Sequence, residues 1–283
     1  MAWPSGFDGT DIDVFRPAIW AEKINEFFRA NLVAANFFLD MSGELSGGGD
    51  TIYIPNLAEI TALVKTNAAA VAPNETTQTT VTLTIDTWYY AAVMIEKREM
   101  AQIKQSYMLQ ERYAKALAYA NAKQLETAIC TLFQGFSQTA GSSSATLVDS
   151  DIRTAIKQLD VANVPQTERA FFFHPNEIWG DLMAIDRYTL LEQSGRGVIT
   201  EGAVAMLYGI PVYSTTTITA TTPLGRCGAL AHKEAIAWAS LYGVATDTNY
   251  IPEYLATLIT SDIVYGVIEN RDAAGVLIQS ASA

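Results

Sequence analysis

Hydrophobic and polar positions keep different periods in successive parts of this chain, and the sharpest change falls at Glu96. From Thr80 to Asp86 the order Thr-Val-Thr-Leu-Thr-Ile-Asp alternates without a break, so an extended strand would carry one type of side chain on each face. Thr51-Ile52-Tyr53-Ile54-Pro55 predicts an earlier strand, with Pro55 at an edge or an end because proline cannot donate to a ladder. Residues 66–79 between them are small and polar and read as an exposed tip. The return strand is expected over 80–95. It carries Trp88, Tyr89 and Tyr90, which as neighbours point to both faces and predict that both are covered. From Glu96 no Gly or Pro occurs until Gly135, and Met100, Ile103, Tyr107, Leu117, Ala120, Ile129 and Phe133 recur at near-helical spacing. A helix over 97–134, with Leu109 as the place for any bend or break, would be about 57 Å long at ~1.5 Å per residue. That is longer than a small domain is wide, so it would act as a strut.

Residues 12–39 predict a first helix, capped by Asp11 or Asp13, with Val14, Ile19, Trp20, Ile24, Phe27, Phe28 and Leu32 recurring along it. Pro4, Gly6 and Gly9 mark a loose arm before it, and Ser46-Gly47-Gly48-Gly49-Asp50 a flexible break after it. Beyond a Ser/Gly-rich linker at 136–148 an α/β rhythm begins. It comprises a helix capped by Asp149 or Ser150 and ending near Val161, a short buried strand at 169–173, and a helix opened by Pro175 and reaching about Tyr188. A loop at 195–197 follows, then a strand after Tyr208-Gly209, a strand-like run over 228–238, short strands at 255–259 and 263–268, a turn at 270–275 and a last strand at 276–279. The class is α+β.

Composition changes this picture in one respect. Hydrophobic residues make up 49% of the 283 residues and charged ones only 17%, below the roughly 25% of an average soluble domain. With a mean hydropathy of +0.13 this is an ordered chain with much surface not meant for water, which points to burial in an assembly. A net charge of −12 argues against a protein that binds nucleic acid by neutralising phosphates, though not against a wall that faces it. No apolar run is long enough for a membrane span, and the first residues lack the pattern of a secretory signal, so a cytosolic origin is expected. Cys130 and Cys227, far apart in sequence, are expected as buried free thiols.

Candidate chemistry is sparse. His174-Pro175-Asn176-Glu177 sets a histidine before a helix that carries a glutamate, so an α/β enzyme using His174 and Glu177 is the reading from a different functional class. The plainer alternative is that His174 ends a strand and His174 or Asn176 caps the helix. Glu96-Lys97-Arg98-Glu99 reads as a solvated or intersubunit ion-pair patch. The Gly-rich stretches at 46–49 and 194–197 lack the ending of a phosphate loop. Neither metal nor cofactor is expected, and no catalytic constellation is present.

The order of the parts resembles the major capsid proteins of tailed phages, with the Hong Kong 97-type fold that encapsulin compartments share. Gly49-Asp50-Thr51-Ile52-Tyr53-Ile54-Pro55 is similar to the start of that family's extended loop. Leu83-Thr84-Ile85-Asp86 with Trp88-Tyr89-Tyr90-Ala91-Ala92 is similar to its return strand, and Ile95-Glu96-Lys97-Arg98-Glu99-Met100-Ala101-Gln102 to the start of its spine helix. Leu159-Asp160 through Val164-Pro165, then Arg169 to Pro175, resembles a helix–strand unit. The stretch from Gly202 to Val212, with Gly209-Ile210-Pro211-Val212 at its end, resembles another, and His232-Lys233-Glu234-Ala235-Ile236 and Tyr265-Gly266-Val267 the closing strands.

The resemblance implies an N-terminal arm and first helix (1–40), an extended loop (44–95), a peripheral domain with the spine helix (96–148 and 230–262) and an axial domain (149–229 and 263–283). It implies self-assembly into hexamers and pentamers that tile an icosahedral shell around double-stranded DNA. Scaffolding, portal and decoration or cement proteins would be partners, the DNA would face the inner wall without sequence-specific binding, and no membrane would be involved. An encapsulin-type compartment is the alternative within the same fold. Lys65, Glu75, Trp88, Glu96, Arg98 and Arg196 are the candidate intersubunit contacts. Some family members join a loop lysine to a neighbour's asparagine; Lys65 is the only lysine in this loop, and no motif identifies a partner for it.

Overall fold

The computed structural model describes residues 33–47, 49–57, 60–67, 70–71, 78–98, 109–185, 206–218, 220–221 and 225–281. Most of the helix expected at 12–39 lies outside them, as do positions 99–108 of the helix expected at 97–134, Glu75 and Arg196. A single helical turn, Ala34–Phe37, leads into β1 (Leu39–Asp40), β2 (Thr51–Asn56), β3 (Thr79–Thr84) and β4 (Thr87–Glu96). The long helix Leu109–Leu132 is followed by β5 (Gln138–Gly141), the helix Asp149–Val161 and β6 (Arg169–Phe173). Then come β7 (Met206–Leu207), β8 (Ile210–Ser214), β9 (Ala220–Thr221), β10 (Gly225–His232), β11 (Ile236–Ile251), β12 (Ala256–Glu269) and β13 (Gly275–Ser280).

The described residues form three sheets. β2 and β3 pair only with each other, β1-β11-β12-β4 form a four-stranded sheet under the long helix, and β5-β13-β10-β6-β8-β7, with β9 beside β10, form the third. The chain crosses from the third sheet to the second at Lys233–Ala235 and returns at Asp272–Ala274.

The expected return strand 80–95 is in fact two strands in two sheets. β3 closes the hairpin, Ile85 turns into the core, and β4 becomes the edge of the four-stranded sheet, paired with β12 from Thr87↔Tyr265 to Glu96↔Ala256. The turn needs close backbone approach. A Cβ on Gly266 would lie 2.1 Å from the Thr84 carbonyl oxygen, so only glycine lets the hairpin base sit down on β12. The two short strands expected at 255–259 and 263–268 are instead the single strand β12. Thr260-Ser261-Asp262 interrupts the apolar pattern, but Ser261 is fully buried and its hydroxyl accepts from Asn121 Nδ2 on the long helix at 3.1 Å. A polar residue satisfied from a neighbouring element keeps its place inside a strand.

β6 matches its expectation and explains the core. All five of its residues are buried, and alternation sends Phe172 to one face and Phe171 and Phe173 to the other. Phe171 and Phe173 pack with Ile152, Ala155 and Leu159 of the helix Asp149–Val161. Phe172 sits among Phe37, Phe38, Phe133 and Tyr213 at centroid distances of 5.3–5.5 Å, joining the N-terminal turn, the end of the long helix and the third sheet. The helix Asp149–Val161 starts one residue earlier than a cap at Asp149 requires. Asp149 lies in its first turn, pairs with Arg153 at 2.8 Å and accepts from the Tyr208 hydroxyl at 2.5 Å. Both cysteines are free and buried, and burial pushes the Cys130 thiol up to about 12.

Candidate subunit interface

The described residues of the hairpin beyond β2 are exposed: Leu57, Ile60, Leu63 and Val64, the last at 95%, present aliphatic side chains to solvent. Exposed apolar residues placed together mark an interaction surface, and a two-stranded hairpin that pairs with nothing else is marginal on its own. Its base is anchored, where Ile52, Leu83 and Ile85 pack with Leu45 and Ala239. A second apolar surface lies on β4. Ile95 and the partly buried Ala91 and Val93 pack toward Leu117 of the long helix, whereas Trp88 (69% exposed), Tyr90 (77%) and Met94 stand outward. The expectation that Trp88, Tyr89 and Tyr90 are covered on both faces therefore fails within one copy; only Tyr89 gains a stacked partner, Tyr265, at 6.1 Å.

The described candidate contacts do not form one cluster. Lys65 lies on the hairpin and donates from Nζ to the Thr66 carbonyl at 3.1 Å. Trp88, second in β4, donates from Nε1 to Asp262 Oδ2 at 3.0 Å. Glu96 closes the same strand, roughly 26 Å away at ~3.3 Å per residue, with Arg98 exposed just beyond.

His174 and Glu177 form a corner of the fold. His174 Nδ1 accepts from the Asn176 N–H at 3.1 Å, which is the capping role. Glu177 is 2% exposed. Its Oε2 accepts from the His174 backbone N–H at 2.8 Å and its Oε1 from the Ser280 hydroxyl at 2.7 Å, tying the end of β6 to the end of β13. Burial pushes the Glu177 carboxyl upward against those two bonds, and burial with nearby Arg226 lowers His174. Among the described residues no group of His, Cys, Asp and Glu could hold a metal ion, and no helix is long and apolar enough to cross a membrane.

Two carboxylates that the sequence did not single out matter more. Glu126 is fully buried on the long helix. Oε1 accepts the N–H groups of Val33 and Ala34 at 2.8 Å each, and Oε2 that of Ala35 at 3.0 Å. The signal was there: Glu126 stands three and seven residues before Ile129 and Phe133, on the apolar side of the helix.

Glu269 lies at the return crossing beside Asp272. Burial first, and then the hydrogen bond and charge of Asp272, push its carboxyl up to about 7. Burial acts in the same sense on Asp272, but bonds from the Ser137 hydroxyl and N–H hold that carboxyl low. An acid whose pKa rises on folding holds its proton more tightly in the folded state. Its contribution is therefore full below pH 4.5, declines between 4.5 and about 7, and is gone above. Glu269→Gln is expected to flatten the fall of thermal stability across that window and to leave the variant the more stable at pH 8. An unchanged slope in melting curves would remove Glu269 as the cause.

A family model for phage capsid protein matches residues 39–280. The chain belongs to the phage capsid protein family. It is a structural subunit of a phage capsid, and its place is the virion capsid. No curated protein sequence matches it. Its fold is similar to a chain from Mycobacterium phage Che8 at 19% identity and a TM-score of 0.80, covering 95% of this chain and 98% of that one. It is similar to a chain in the capsid of Cyanophage P-SCSP1u at 15% identity and 0.78, covering 96% and 94%. A chain in the mature capsid of bacteriophage PhiM1 matches at 14% identity and 0.75, covering 95% and 93%. These likenesses bear out the expected Hong Kong 97-type α+β fold.

Proposed function

We propose that this capsid protein forms hexamers and pentamers whose subunits are joined by the hairpin, and that the shell encloses the double-stranded DNA of a tailed phage. One observation carries the reading: Leu57, Ile60, Leu63 and Val64 are exposed on a hairpin whose described residues join the hydrophobic core at its base, so that another copy must cover them. The contact is heterologous and closes into rings. The four-stranded sheet with the long helix serves as the peripheral domain and the third sheet with the helix Asp149–Val161 as the axial domain. The crossings at Lys233–Ala235 and Asp272–Ala274 are their joints.

Assembly takes place in the host cytoplasm with scaffolding and portal proteins, and decoration or cement proteins bind outside. The protein turns over no substrate, and His174 is a cap. With a charge of −12, the wall meets DNA through few direct ion pairs, and counterions neutralise the phosphates. Particles from infected cells are expected to protect genome-length double-stranded DNA from added nuclease. Particles that hold a protein cargo and no DNA would favour a nanocompartment instead.

A further inference from the structure

Asp262 sits mid-strand on β12, opposite Tyr90 of β4 and Ala245 of β11, on the outward face of the four-stranded sheet. Its Oδ2 accepts from both Trp88 Nε1, at 3.0 Å, and the Tyr242 hydroxyl, at 2.6 Å. Among the described residues these two are its side-chain partners, and both are neutral. A carboxylate held by an indole and a phenol, with its second oxygen unengaged among the described residues and aromatic faces exposed beside it, is a receptor for a cation. It offers charge-assisted hydrogen bonding together with cation–π attraction.

The hairpin carries the matching group. Lys65 is the only Lys or Arg between Asp50 and Ile95, and exposed Leu63 and Val64 precede it. The face beside the receptor is likewise apolar and exposed, with Tyr90 opposite Asp262 and Met94 four residues further along β4. Charge and polarity thus match over several residues, not at one atom pair alone. The receptor also lies next to a hairpin base, because Thr84 rests on Gly266 and β4 starts at Thr87 beside Tyr265. From Asn56 to Lys65 the chain can extend a further ~30 Å at ~3.3 Å per residue. A tip that reaches the base of the next copy's hairpin, which reaches the next in turn, is a head-to-tail contact that repeats around a ring.

We propose that Lys65 of one copy seats in the Asp262–Trp88–Tyr242 cluster of a second copy, with Leu63 and Val64 laid on Tyr90 and Met94. This rests on the reading of the hairpin as an intersubunit element and names its receiving residues.

The test uses unaltered protein. Particles assembled from a mixture of 14N- and 15N-labelled chains are treated with a water-soluble carbodiimide, which joins an amine only to a carboxylate in contact with it. The expected product is a Lys65–Asp262 peptide pair with one labelled and one unlabelled half. Particles that form normally but yield no such mixed pair overturn the assignment while leaving the hairpin reading in place; a chain that forms no particles and stays a stable monomer overturns both. Lys65→Glu, which inverts the charge of an exposed residue, is expected to lower particle yield at least tenfold, and an undiminished yield counts against the pairing.

Discussion

Glu126→Ala is expected to lower the melting temperature of the unassembled subunit by about 5–10 °C, on the basis of about 3 kcal/mol lost from a chain of this size. The carboxylate is fully buried and accepts three backbone N–H groups, those of Val33, Ala34 and Ala35, at the exposed end of a helical turn. Removing it leaves those donors without their acceptor, that of Ala34 fully buried and those of Val33 and Ala35 partly so, and a buried orphan costs about 1–3 kcal/mol. The loss also spreads. The same segment is tied by Trp238 Nε1 to the Ala35 carbonyl at 3.0 Å and by Phe37 and Phe38 against Phe172, so loosening its start loosens the aromatic joint between the two larger sheets. Glu126→Gln keeps one acceptor oxygen and should lose roughly half as much. Scanning calorimetry on both variants checks the order; a Glu126→Ala protein that melts with the wild type would show that the segment is held by its aromatic contacts alone.

Replacing Leu57, Ile60, Leu63 and Val64 together by Ser is expected to abolish shells while leaving the subunit folded. All four are exposed in one copy, so each change should move subunit stability by no more than about 0.5 kcal/mol. Covered by a neighbour, each would contribute roughly 1.5 kcal/mol, about 6 kcal/mol per contact, or some four decades in the association constant. Melting curves and electron microscopy on the same preparation separate the two effects. Shells in wild-type yield would place the intersubunit contact elsewhere.

Local pattern made several parts of this fold legible in advance. Strict alternation over 80–86 gave β3, five consecutive buried residues gave β6, and an unbroken run without Gly or Pro gave the described part of the long helix. What stayed hidden depends on partners distant in sequence. Nothing between Thr84 and Thr87 says that the strand changes sheets, because the cause is Gly266, far along the chain, which admits the Thr84 carbonyl. Ser261 reads as a turn until Asn121 is placed beside it, and Glu126, although its spacing puts it on the apolar side of the helix, has no visible partner until residues 33–35 arrive. The surface followed the same rule. Lys65 and Trp88 are candidate contacts by sequence and both are exposed, but Asp262 and Tyr242, which make Trp88 part of a cluster, lie on strands that only the sheet brings together.

The most direct test of the central claim is light scattering coupled to size-exclusion chromatography, with negative-stain imaging of the purified full-length chain. Coverage of the hairpin by a second copy predicts rings or closed particles tens of nanometres across as the main species, with the 30.7 kDa subunit passing into them as concentration rises. A compact, monodisperse species of that single-chain mass, with Leu57 to Val64 protected from solvent against its own body, would contradict it.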